Sequence, residues 1–205
     1  SGATTESIDP IRTLSNRASG RTGRAVARAC YVRGATVTLV HDGPDVPYAD
    51  VRPAESAAAM LDAVQSAVED STDALVSAAA IGDFTVETAP EKIRSGESLT
   101  LELDPTPKLL DTMRENHPDL TMVGFKAETS GDDDAMIERA ATLRDRVDLA
   151  FVVANDADVM GDEGTRALFV RADGAETYTG SKAGLGARVA AELAAELDRS
   201  GRGDR

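Results

Sequence analysis

One cysteine, two histidines, four lysines and no tryptophan are all that this chain of 205 residues holds of those types. With Cys30 alone there is no disulfide framework and no thiolate metal cluster, and a reducing cytosol fits. His41 and His117 are too few for a histidine-based metal site. No apolar run approaches the roughly 20 residues of a membrane span. No signal peptide is expected either, because the chain opens on polar residues. The G-x-G-x-x-G dinucleotide fingerprint is absent. Positive charge is in short supply: 36 acidic residues against 22 basic ones give a net charge of −14. Nucleic acid and anionic membrane are therefore poor partners for the surface as a whole.

Much acid, little lysine, few aromatics and abundant alanine resemble the proteome style of salt-loving prokaryotes, and a halophilic protein is expected. The charge is also uneven. Residues 1–35 hold Arg12, Arg17, Arg21, Arg24, Arg28 and Arg33 against only Glu6 and Asp9. Local arginine kept on an acidic protein suggests a polyanionic ligand beside this segment, though Arg21, Arg24 and Arg28 also fall at the spacing of a solvated helix face.

The opening itself, SGATTESIDPIRTLSNRASGRTG, has little apolar content. It reads as a long loop feeding a helix opened by glycine. Gly20 and Gly23 would let backbone N–H groups approach a phosphate at that helix N-terminus, where the dipole favours negative charge.

Downstream, apolar runs predict strands at 36–40, 73–78, 99–103, 120–126, 149–154 and 167–171. Helical spacing is found at 20–33, 54–69, 107–116, 133–146 and 181–198. The alternation predicts an α/β, Rossmann-like domain over 1–205, with a mainly parallel sheet covered by helices on both faces. Residues 83–103 break that rhythm and read as a lid or hairpin excursion. Residues 199–205 read as a frayed tail. A doubly wound sheet has a strand before its first glycine loop. Only Ser1–Ala3 stand there, so that strand is expected upstream.

Polar islands fall where strands end: Asp83 in IGDF, then PTPKLL, FKAET with Phe125, and ANDAD with Asn155 and Asp156. Parallel strands would bring such ends to one edge, where ligands bind. With the opening motif, these islands resemble phosphopantothenoylcysteine synthetase. The family pattern T/S-x-G-x-T-x-E-x-I-D-P-V-R-x-I-S-N-x-S-S-G-K-M-G is matched by the opening. A-A-V-A-D-Y reads AAAIGDF, K-I-K-K reads KIRS, T-P-D-I-L reads TPKLL, V-G-F-A-A-E-T reads VGFKAET, and A-N-D-V-S reads ANDAD. Ser181-Lys182 matches the closing S-K.

The resemblance implies a ligase that joins 4′-phosphopantothenate and L-cysteine in coenzyme A biosynthesis. An acyl-cytidylate would form as CTP releases pyrophosphate, with Mg2+ accompanying the nucleotide; eukaryotic members use ATP. It implies Asn16 and Lys92 as catalytic, Lys92 on the lid facing triphosphate. Arg12, Ser19, Gly20 and Gly23 would face phosphopantothenate. Ser77, Ala78, Ala79, Asp83, Lys92, Thr106, Pro107, Lys108, Leu109 and Phe125 would face the nucleotide, with Asn155, Asp156 and Lys182 as further candidates. A homodimer, a cytoplasmic setting and a preceding flavin-dependent decarboxylase domain are implied as well. Departures are Arg21 for lysine and Thr22 for methionine in the glycine loop, Arg94-Ser95 for the last two lid lysines, and Lys108 for an acid. Arg139, Arg144 and Arg146 stand where the family carries lysines before A-N-D, and sequence does not align them.

Two other readings compete. Tyr178 and Lys182 spell the Y-x-x-x-K of short-chain dehydrogenases, and the acidic Asp42 follows the strand at 36–40. Gly180 between them argues against the helix that pair needs. A non-catalytic nucleotide-binding module would leave Asn16 and the lid idle.

Overall fold

The computed structural model describes residues 1–94, 96, 98–128, 132–156 and 164–203. The chain opens with β1 (Gly2–Ala3), β2 (Thr5–Asp9), β3 (Arg12–Ser15), α1 (Arg21–Val32), β4 (Thr38–His41), β5 (Asp50–Pro53) and α2 (Ala57–Ala67). Next come β6 (Ala74–Ser77), β7 (Ala79–Ala80), β8 (Phe84–Val86), β9 (Leu103–Pro105) and α3 (Leu109–Asn116). Then β10 (Thr121–Glu128), α4 (Asp133–Val147), β11 (Phe151–Asp156), β12 (Gly164–Arg171), β13 (Gly174–Ser181) and α5 (Lys182–Gly203) complete it.

The main sheet has the order β13-β12-β11-β10-β6. Its centre is parallel, β6 to β10 to β11, and β12 and β13 extend it antiparallel. Side chains alternate across it with the period of two that a pleated strand imposes. Val123, Phe151, Val153 and Phe169 meet α1 and α5 through Val26, Leu185 and Val189. Met122, Val152, Ala154, Leu168 and Val170 meet α2, α3 and α4 through Met60, Met113 and Met136. Burial on both faces explains why the central strands read as unbroken apolar runs. The expected α/β fold, with helices on both faces, is the observed one.

Four expectations change in detail. The opening is not a bare loop: β2 and β3 pair antiparallel as a hairpin. The excursion closes through β8 and β9, which pair at 84–86 and 103–105, so the strand expected at 99–103 lies later in the chain. Before the glycine turn, β1 pairs parallel with β7, Gly2 beside Ala79. Helix α5 continues to Gly203, past the residue where fraying was expected.

Helix α5 also crosses α1 at close range. A methyl placed on Gly186 would lie 2.5 Å from the Ala25 carbonyl carbon, a backbone atom that cannot step aside. Gly186→Ala is expected to lower stability by about 1–3 kcal/mol. Urea unfolding measures it, and a variant as stable as the parent would refute so close a crossing.

Candidate active site

The helices differ at their N-termini. Helix α2 is capped by Ser56, whose hydroxyl accepts from the Ala59 N–H at 3.1 Å. Helix α4 is capped by Asp132 and carries Asp133 and Asp134 in its first turn. Helix α1 has neither a side-chain cap bond nor an acid in its first turn. Its N-cap is Gly20, in the left-handed region at φ 65°, where only glycine is free of strain. A side chain there would also meet the Gly2 backbone, 3.1 Å away. The turn therefore presents N–H groups and the positive end of a dipole with no built-in counter-charge.

A cleft opens on that turn. Arg17–Gly23 form one wall, Gly2 and Ala78–Ala80 the floor, and Phe125, Ala127, Asn155, Thr165 and Lys182 the far side. Arg17, Arg21 and Lys182 line it, and no acidic side chain does among the described residues. Field and donors both suit an anion there.

A second cleft adjoins it along the strand ends. Ser77, Ala79, Ile81–Asp83, Thr106–Asp111, Phe125, Leu143 and Arg146 line it. Its charges are paired with opposite charges: Lys108 meets Asp83 at 2.7 Å, and Arg146 meets Asp111. Thr106 fixes its wall, with Oγ1 donating to the Gly82 carbonyl at 2.5 Å and its N–H donating to the Asp83 carbonyl at 3.0 Å. Ala79 and Phe125 belong to both clefts. A ligand group at that ridge touches what occupies either side.

The structure thus gathers Ser19, Gly20, Gly23, Ala78, Ala79, Phe125, Asn155 and Lys182 around the first cleft. It gathers Ser77, Ala79, Asp83, Thr106, Pro107, Lys108, Leu109 and Phe125 around the second. Asn16 lines neither cleft itself; it precedes Arg17 of the first, and its Nδ2 donates to the carbonyl of Ala80 on the floor at 3.1 Å. Arg12 and Lys92 line neither cleft. Arg12 pairs with Asp9 and donates to the Ile93 carbonyl at 2.9 Å; Lys92 is exposed beside it. The side chain of Asp156 and the lid position Ser95 lie outside the described residues.

Sequence reasoning missed Thr165, Leu143 and Asp111, and left the arginines before ANDAD unplaced. Residues 144 and 146 of α4 are two positions apart, so they point to different sides of the helix. Arg146 turns to the second cleft, while Arg144 contacts the Arg171 carbonyl and Asp145. Tyr178 lies in β13, its hydroxyl donating to the Ser181 carbonyl at 3.0 Å. It is not on a helix with Lys182, as the dehydrogenase reading requires.

Residues 1–197 match the family described as DNA/pantothenate metabolism flavoprotein C-terminal domain. The chain is 40% identical over 176 residues to the coenzyme A biosynthesis bifunctional protein CoaBC of Thermococcus kodakarensis, covering 84% of this chain and 44% of that protein. It is 33% identical over 192 residues to the CoaBC of Methanocaldococcus jannaschii, covering 92% of this chain and 47% of that one. The chain spans about half the length of these relatives. Among solved structures, the DNA/pantothenate metabolism flavoprotein of Streptococcus pneumoniae superposes with a TM-score of 0.85 at 21% identity, over 96% of each chain. A Cab2 mutant in complex with phosphopantothenate-cysteine gives 0.76 at 17% identity, over 100% of this chain and 86% of that one. These structures bear out the fold, and the profile and relatives bear out the resemblance carried by the opening motif: the chain belongs to the DNA/pantothenate metabolism flavoprotein C-terminal domain family.

Proposed function

We propose that this chain is a phosphopantothenate–cysteine ligase of coenzyme A biosynthesis, forming its amide through an acyl-cytidylate. The observation that carries the reading is the pair of clefts sharing Ala79 and Phe125. Two substrates must meet at one point for an acyl nucleotide to form. The phosphate of 4′-phosphopantothenate would sit on the bare N-terminus of α1, among Arg17, Arg21 and Lys182. The nucleotide would fill the second cleft along Thr106–Leu109. The substrate carboxylate and the nucleotide α-phosphate then face each other over the shared ridge.

In the first step a carboxylate oxygen bonds to the α-phosphorus, and the bond to the bridging oxygen of pyrophosphate breaks. In the second, the cysteine amine attacks the acyl carbon, CMP leaves and the nitrogen gives up a proton. Both steps depend on placement and on neutralising charge, more than on a protein nucleophile. Asn16 donates a hydrogen bond to the oxyanion that develops at the acyl carbon. Mg2+ would enter bound to nucleotide phosphates, its usual habit. No cluster of three or more His, Cys, Asp or Glu that could hold a metal occurs among the described residues.

A homodimer belongs to the same reading. Ile11 and Phe84 are 64% and 51% exposed in the β2–β3 and β8–β9 hairpins, beside exposed Leu14 and Leu103, and a second copy would cover them. The relatives' bifunctional names support a companion domain, which in this reading is a flavin-dependent decarboxylase.

Pyrophosphate release tests the reaction. It is expected to require phosphopantothenate and a nucleoside triphosphate, CTP before ATP, with amide formed only when cysteine is added. Turnover of a nicotinamide cofactor without such release would instead establish an oxidoreductase.

A further inference from the structure

The turn between β2 and β3 holds a buried charge that the reaction above does not use. Asp9 is 1% exposed. Its Oδ1 accepts the backbone N–H groups of Ile11 and Arg12, each at 2.9 Å. Its Oδ2 meets the Arg12 guanidinium and accepts the N–H of Ile93 at 3.1 Å. Arg12 in turn donates to the Ile93 carbonyl at 2.9 Å. Both polar backbone groups of Ile93 are thus held by a hairpin far away in sequence. Two more bonds follow the same strand: Ala89 N–H to the Ile8 carbonyl at 2.9 Å, and Thr88 Oγ1 to the Ser7 carbonyl at 2.8 Å.

A buried carboxylate is costly unless its oxygens are bonded. Here burial would raise the pKa, but the N–H groups of Ile11 and Ile93 and the Arg12 guanidinium outweigh it and bring it to about 2. A turn of this kind uses one side-chain oxygen. The other oxygen serves the segment that carries Lys92. A lysine on a flexible stem reaches a phosphate reproducibly only if its backbone starts from a fixed point.

We propose that Asp9 is a positioning residue for Lys92: through Ile93 it seats the lid segment on the hairpin and sets where the lysine starts. The role rests on the ligase reading.

Asp9→Asn tests it, because asparagine keeps an oxygen for the turn and replaces the lid-facing oxygen with a donor that cannot accept from Ile93. The expected result is a kcat lowered on the order of 10- to 100-fold, an unchanged KM for phosphopantothenate, and faster protease nicking at residues 88–94. In a Lys92→Gln background, Asp9→Asn should add no further loss, since both changes remove one contribution. Losses that multiply, or a normal kcat with normal nicking, would overturn the proposal. If Asp9→Asn does not fold, Ile93→Pro removes the same donor and leaves Asp9 in place; the same non-additivity is expected of it, and multiplied losses would count equally against the role. A wild-type protein without ligase activity would end the ligase reading and the role of Lys92 together. Faster nicking of Asp9→Asn would then report the docking alone.

Discussion

Replacing Asn16 with aspartate is expected to lower amide synthesis roughly 100- to 1,000-fold while the fold survives. Asn16 is exposed beside Arg17 of the first cleft, so its replacement opens no cavity. Its amide has two N–H donors, one of which reaches the Ala80 carbonyl at 3.1 Å. In the proposed reaction the other would meet the oxyanion at the acyl carbon. Aspartate donates nothing at neutral pH. It sets a carboxylate against the Ala80 carbonyl and against substrates that are themselves anions, so ground state and transition state both suffer, the transition state more. Single-turnover kinetics separate the two steps: amide formation, in which the oxyanion develops, should slow more than acyl-nucleotide formation. Far-ultraviolet circular dichroism and the thermal midpoint should match the parent. A folded Asn16→Asp protein with near-normal turnover would remove Asn16 from the chemistry.

The central strands and the helices could be read because each is amphipathic or fully apolar with its own period. Residues 151–154, buried on both faces between α4 and α5, are one such run. Strand β13 gave no such signal. Residues 174–181 are almost all polar or small and mostly exposed, and the strand exists because β12 pairs with it along its length. The usable clue was Asp173-Gly174, a hairpin dipeptide just after the strand at 167–171. The β2–β3 hairpin hid for a different reason. Its buried side chains include Glu6 and Asp9, acids that hydropathy assigns to a surface. Glu6 is buried because its Oε1 accepts the Ala57 N–H at the start of α2, 2.8 Å away, and its Oε2 accepts from Thr85 Oγ1 at 2.9 Å. Nothing local in TESID announces partners so distant.

The site divides in the same way. Residues at strand ends were legible, because parallel strands bring their C-terminal ends to one edge whatever the details between them. Ser77, Phe125 and Asn155 reach the clefts for that reason, whereas Thr106 follows the antiparallel strand β9 and is held there by the Gly82 and Asp83 carbonyls. Arg12 and Lys92 belong to the hairpin and the lid, whose placement depends on a few long-range hydrogen bonds. Sequence named them, and structure places them beside Asp9 outside both clefts.

Lys92→Gln is the second change expected to be severe, with turnover lowered roughly 100- to 1,000-fold. Pyrophosphate leaves with more charge than it carried as part of the triphosphate. A cation that arrives over a desolvated site stabilises that charge where water no longer can. Lys92 is exposed and lines neither cleft, so the contribution proposed for it requires its segment to close over the nucleotide. Such a contribution enters kcat more than ground-state binding, and the KM for nucleotide should change far less than the turnover. Lys92→Arg keeps the charge but not the compact ammonium, and should fall between parent and glutamine. Closure has its own readout: nucleotide should protect residues 88–94 of the parent from protease. The decisive comparison is of initial rates at saturating substrates. A Lys92→Gln protein within a few-fold of the parent, nicked equally with and without nucleotide, would show that this segment is no lid. In that event Arg146 and Lys108, already on the wall of the second cleft, would be the cations left to meet the leaving group.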